Sequence, residues 1–190
     1  MSCALTKGRQ EPCKDSVGGI KAAYFIEFGV QPTFDAGTEE VTDLQADSLG
    51  TAITAFKYDL KGTGNNFEEA VQSSRDNGTT FWQQTVNLQL KKLTAADRKE
   101  LKLIAYGRPH IVIHTYMGDA FIFGLYNGME VTGGTAVSGN VMADLYGYTL
   151  VLSGMEKLPG HMLMGATVDD PFAGLVTAPT ITVGASDEPG

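Results

Sequence analysis

Residues 77–109, NGTTFWQQTVNLQLKKLTAADRKELKLIAYGRP, hold a turn, a long alternating run, an abrupt change of period and a stop. Between Phe81 and Leu90, the side chains of Trp82, Val86, Leu88 and Leu90 fall on one face, with Gln84 as the exception. Gln83, Thr85, Asn87, Gln89 and Lys91 fall on the other. Alternation with period two predicts a strand with one face buried and one wet. Twelve such residues extend roughly 40 Å, which is long for a strand in a small domain. At Leu93 the period changes. Thr94 with Asp97 three residues on can cap a helix, and Leu101, Ile104 and Ala105 recur at helical spacing. Gly107 suits a left-handed cap and Pro109 blocks continuation. The pattern predicts one helix over residues 95–106, packing a narrow apolar stripe onto a sheet.

Just before this run, Asn77-Gly78 is a two-residue hairpin signal. A turn centred there sets Phe67 opposite Leu88, Val71 opposite Gln84 and Ser73 opposite Trp82. Phe67 and Val71 then join the apolar face, while Glu68, Ala70 and Gln72 join the polar one. Glu69, opposite Val86, is the misfit. This match favours a strand over 66–73 against a short helix capped by Asn66 and Glu69.

Further strands are expected at 20–28, 51–60, 111–116 with 120–123 as a hairpin around Gly118-Asp119, then 130–137 and 141–153. Gln31 to Asp47, with Pro32, Gly37 and several acids, reads as a loop with a short strand near 39–44. Residues 1–19 are polar and Gly-rich, an extended arm. Residues 159–190 contain no Lys or Arg and are broken by Pro171, Pro179 and Pro189. They read as an acidic extended arm with a short strand near 180–183. The domain is thus residues 20–158. The fold class is mainly β (β-rich α+β): an antiparallel β-sandwich or partly closed barrel with one flanking α-helix.

A chain of 190 residues that is 43% hydrophobic can bury a real core, and its net charge of −8 argues against gripping nucleic acid or an anionic membrane. No apolar run is long enough to span a bilayer, and no apolar segment follows Lys7, Arg9 and Lys14, so neither membrane anchor nor signal peptide is expected. Cys3 and Cys13 are read as free thiols in a reducing compartment rather than a disulfide or redox pair.

His110 and His114 share a strand face roughly 13 Å apart, too far to chelate one ion, and read as structural or surface histidines. Asp169-Asp170 lacks the spaced oxygen ligands of a cation loop. Gly62–Asn66, GTGNN, has no following Lys-Ser/Thr and no helix, so it is not a phosphate cradle. No serine sits in a Gly-x-Ser-x-Gly elbow. Trp82, Phe81, Tyr116, Phe121 and Phe123, at strand spacing in an acidic chain, read as core rather than a base-stacking platform. The expectation is a protein with no catalytic, cofactor-binding or metal residues, and not an enzyme.

Four stretches, taken in order, resemble the phage major tail protein, or tail tube, family. They are FEEAVQSSRDNGTTFWQQTVNLQLKKL, the helix leading into YGRPHIVI, GDAFIFGLYNGMEVTGG and DLYGYTLVLSGMEKLP. They span residues 67–159, about half of the chain. The resemblance implies a β-sandwich or partly closed barrel with one helix. It also implies rings, six subunits each, stacked into a hollow tube in a virion tail assembled in the host cytoplasm. The partners implied are further copies of the chain and other tail components, with genome DNA passing unbound. A terminator, baseplate or secretion-tube ring protein on the same fold is the alternative, and a monomeric ligand-binding β-barrel a further one. In a tube, the uncharged row Gln83, Thr85, Asn87 and Gln89, with Glu68 beside it, would suit a lining that does not hold phosphate. The segments containing Gln31, Asp47, Asp169 and Asp170 would be candidates for ring-to-ring contact.

Overall fold

The alternating run folds as β6 (Thr79–Lys91), with Gln84, Val86 and Leu88 buried and the intervening residues half-exposed. Beside it lie β5 (Asn66–Ser74) on one side and β10 (Gly147–Glu156) on the other, with β9 (Glu130–Val137) beyond. These make a four-stranded sheet of order β5-β6-β10-β9, antiparallel throughout. The computed structural model describes residues 7–11 and 13–184.

A second sheet runs β11-β8-β7-β1-β4-β12. Its strands are β1 (Ile20–Ile26), β4 (Thr54–Asp59), β7 (His110–Thr115), β8 (Ala120–Phe123), β11 (His161–Met162) and β12 (Thr180–Val183). All its pairings are antiparallel except that of β12 with β4. Ala23, Phe25, Ile111, Ile113 and Phe123 meet Val86, Leu88, Leu150 and Leu152 between the two sheets. The opposite face of the second sheet is buried as well. Ala22, Tyr24, Ala55, Val112 and Ile122 pack there against Val41, Leu44, Leu163, Phe172 and Leu175. Burial on both faces explains why β1 and β7 are continuously apolar rather than alternating. The architecture is a β-sandwich with an added third layer, and the sheets do not close into a barrel.

That third layer corrects two expectations. Residues 31–45 are not mainly loop: β2 (Gln31–Phe34) and β3 (Val41–Gln45) form a hairpin with Val41 and Leu44 fully buried. Nor are residues 159–176 an extended arm, because Leu163, Phe172 and Leu175 are core residues and the Phe172 ring meets Tyr24 edge-on at 5.1 Å. Among the described residues of this segment, only β12, four residues all exposed, fits the description of an arm. At the other end, residues 7–11 and 13–19 are exposed and form no strand or helix.

The hairpin register is also corrected. Phe67 pairs with Val86, Val71 with Trp82 and Ser73 with Thr80, two residues from the predicted pairing. Four residues, Arg75–Gly78, close the turn instead of two, with the Gly78 amide donating to the Arg75 carbonyl at 3.3 Å. A slip of two preserves which face each side chain occupies, so the apolar pattern survives it. The true register also resolves both misfits, since Glu69 lies opposite Gln84. The Gln84 amide donates to Glu69 Oε1 at 3.0 Å, and its carbonyl oxygen accepts the Gly124 N–H at 2.8 Å. Glu69 Oε1 also accepts the Gly160 N–H. Two polar residues on an apolar face are thus satisfied mainly by each other and by the backbone of the facing sheet.

Helix α1 (Ala95–Tyr106) has the predicted bounds, and Thr94 Oγ1 accepts the Asp97 N–H at 3.0 Å as the cap. Gly107 is not left-handed: its φ of −89° and ψ of −179° are extended, with its N–H bonded to the Leu103 carbonyl. Leu101 and Ile104 are half-buried against the inter-sheet core. Downstream, β10 begins at Gly147 rather than at residue 141, and 138–146 form a connection that exposes Val141, Met142 and Tyr146. A Cβ at Gly147 would lie 2.1 Å from the Leu90 carbonyl oxygen, so only glycine allows β10 to start flush against β6. Gly154 has an equivalent role, as its missing Cβ leaves the space filled by the buried Met129 sulfur.

Candidate assembly surfaces

The outward face of the four-stranded sheet carries Gln83, Thr85, Asn87 and Gln89 from β6 and Glu68 from β5, opposite Thr85. On β10, Met155, Ser153, Val151 and Thr149 stand opposite the β6 row in that order. The side chains knit together across the strands. Gln83 Nε2 donates to Ser153 Oγ, Thr135 and Thr149 share a hydroxyl bond of 2.7 Å, and the Asn65 side chain accepts the Gln89 N–H at 2.7 Å. Amides and hydroxyls tied to one another leave little for a phosphate to bind. Glu68 and Glu130 are the acids of this face, and Lys91 stands at its end.

The two edges of this sheet, β5 and β9, pair with no further strand among the described residues. Open edges of nine and eight residues are sites for association unless covered. With an even number of strands, all antiparallel, β5 and β9 run in opposite directions.

The predicted stacking residues occupy opposite ends of the sandwich. Gln31 begins β2 opposite Gln45, and the Asp47 carboxylate closes the following turn by accepting from the Leu49 and Thr51 amides and the Thr51 hydroxyl. The Thr51 bonds hold that carboxyl below its ordinary pKa. Both residues lie near the Ile26 end of β1. Asp169 and Asp170 lie near its other end, where exposed Asp169 is 4.0 Å from Lys21 and Asp170 accepts the Phe172 N–H at 2.9 Å. The structure therefore does not bring these four together. The β5–β6 turn projects at the Ile26 end, since β6 pairs with β10 only as far as Trp82. The exposed 138–146 connection lies at the opposite end, beside Lys91.

His110 and His114 are both engaged by backbone groups. His110 is buried, with Nδ1 2.6 Å from the Gly124 carbonyl and Nε2 accepting the Gly29 and Val30 amides at 3.0 and 3.4 Å. Those partners require a neutral ring protonated on Nδ1. His114 Nε2 is 2.8 Å from the Thr167 carbonyl. Burial pulls both imidazoles below their ordinary pKa, against the opposing pull of those carbonyls. A lowered folded-state value means the unfolded chain takes up protons first as pH falls. Stability is therefore complete above about pH 6.5 and declines as pH drops through the folded-state values. Urea midpoints measured from pH 7.5 to 5 are expected to fall, and His110→Asn to flatten part of that slope. An unchanged slope would assign the acid lability elsewhere.

Two buried carboxylates that sequence reasoning missed act as clamps. Glu156 Oε1 accepts the Tyr126 and Asn127 amides at 3.0 and 2.8 Å, holding the β8–β9 connection to the end of β10. Asp43 fixes Thr177 to β3. The Gly-x-Glu spacing of residues 154–156 was a signal for the first, whereas nothing local marks the second. Among the described residues no three His, Cys, Asp or Glu side chains are grouped to hold a metal ion. Cys13 is exposed and free, while Cys3 lies outside the described residues. No family model, curated protein or solved structure matches this chain.

Proposed function

We propose that this chain is a structural subunit of a phage tail tube, whose copies join edge to edge into rings that stack around a channel for DNA. The observation that carries this reading is the four-stranded sheet, with two free edges of opposite direction and an outward face whose central row, Gln83 to Gln89, is uncharged. Rotating a copy about an axis along the strands brings β5 of one copy beside β9 of the next in antiparallel sense. Repetition closes a cylinder without leaving an edge, the arrangement a head-to-tail contact favours. The row from Gln83 to Gln89 then lines the passage, and the net charge of −8 discourages DNA from binding the wall. The projecting β5–β6 turn and the apolar 138–146 connection, at opposite ends, are placed to meet the rings above and below.

Negative-stain microscopy of the concentrated protein is expected to show rings or tubes, and monomers at every concentration would sink the reading. The lining is tested separately by Asn87→Lys with Gln89→Lys. These half-exposed positions tolerate substitution within about 0.5 kcal/mol. Assembled variant tubes are expected to retain DNA in a salt-dependent manner. Tubes that ignore DNA as before would place this face away from the passage.

A further inference from the structure

The two lateral sides of the sandwich differ in chemistry. On one, β5 lies over β8, with Phe67 5.3 and 5.0 Å from the rings of Phe121 and Phe123. Its free edge carries the exposed Glu68, no base, and Val71, which is 54% exposed. On the other side α1 flanks β9, and the two leave an open groove of about 330 Å³. Arg98, Leu101 and Lys102 form its helical wall, and Gly134 and Ala136 keep the β9 side low. Tyr148, also in the wall, is only 7% exposed, and its hydroxyl has no hydrogen-bond partner. A buried donor without a partner is costly.

We propose that the α1–β9 groove is the socket for the β5 edge of a second copy, with Arg98 and Lys102 answering Glu68 and Val71 entering against Leu101. This deepens the ring reading and rests on it. The occupant follows from three features. The bases of the groove answer Glu68, the exposed acid of β5, while Glu69 stays tied to Gln84 and Gly160. Val71 is an apolar side chain exposed on that same free edge. The two surfaces lie on opposite sides of one molecule, so each copy offers one of each and the contact propagates head to tail instead of closing a two-fold dimer. Opposed charges at such a rim select register and direction more than they add affinity.

The test uses complementary lesions in the full chain. Arg98→Glu with Lys102→Glu spoils the socket, and Val71→Arg spoils the edge. All three positions are exposed, so folding by circular dichroism and melting temperature is expected to stay unchanged. Each variant alone should associate at least about a hundredfold more weakly than the parent. Mixed one to one, they should form a heterodimer by sedimentation velocity, because each retains the half the other has lost. Full assembly by the Arg98→Glu/Lys102→Glu variant, or no heterodimer on mixing, would overturn the socket while leaving the ring reading standing. A parent that never assembles removes the ring reading itself.

Discussion

A chain cut after Pro159 is expected to lose cooperative unfolding and to come out insoluble. Leu163, Phe172 and Leu175 cover one face of the six-stranded sheet, all less than a tenth exposed. Burying such side chains contributes about 1.5–3 kcal/mol each, and the three together rival the about 5–15 kcal/mol by which a typical domain is stable. The cut also uncovers Tyr24, Val112 and Ile122, which then present an apolar patch to solvent. A cut after Thr177 is the control. It removes β12, whose four residues are all exposed, and keeps every core residue. That shorter deletion is expected to cost about 1 kcal/mol and 2–4 °C in melting temperature. Thermal melts followed by circular dichroism distinguish the two, and a soluble 1–159 fragment with a sharp transition would refute the three-layer core.

Asp43→Ala is expected to destabilise the fold by about 3 kcal/mol, as befits a charged acceptor lost from buried donors. The carboxylate is 4% exposed and accepts from the Leu44 amide, the Gln45 side chain, the Thr177 amide and the Thr177 hydroxyl at 2.8–3.0 Å. Burial pulls its pKa up, but those bonds, led by the Thr177 amide, outweigh burial and hold the group below its ordinary value. A depressed folded-state pKa gives stability that is complete above about pH 4 and drains as pH falls through the folded value. Asp43→Asn should therefore be less stable at pH 7 yet show a shallower acid limb in denaturant midpoints. Equal acid slopes in parent and variant would show that this carboxylate is not the group being titrated.

Local pattern carried the reading where local pattern decides structure. The alternation from Phe81 to Leu90, the Thr94 cap and the Ala95–Tyr106 helix were legible because each is a short-range regularity. The third layer was not, because Leu163, Phe172 and Leu175 lie in an irregular stretch broken by Gly, Pro and Asp. No period marks them, and only the outer face of the second sheet, which they bury, gives them a place. Gln31–Phe34 contains Pro32 and is four residues long, so its pairing depends on β3 and on the core beneath. The start of β10 was misjudged because Val141, Leu145 and Tyr146 look strand-like while Asp144 ties the chain into a turn, accepting the Asn140 and Val141 amides. The uncharged row was visible from its spacing alone. The groove beside α1 was not, since it exists only once the helix and β9 are neighbours.

The pairing of Glu69 with Gln84 has a consequence for anyone wishing to strengthen this molecule. Sliding β5 along β6 by two positions keeps greasy side chains inward, so oiliness alone cannot tell the right alignment from its neighbour. A carboxylate and an amide, each left thirsty in any other setting, act as the ratchet tooth. Exchanging both for leucine would enrich the interior while freeing the ribbon to creep, a gain in cohesion bought with a loss of definition.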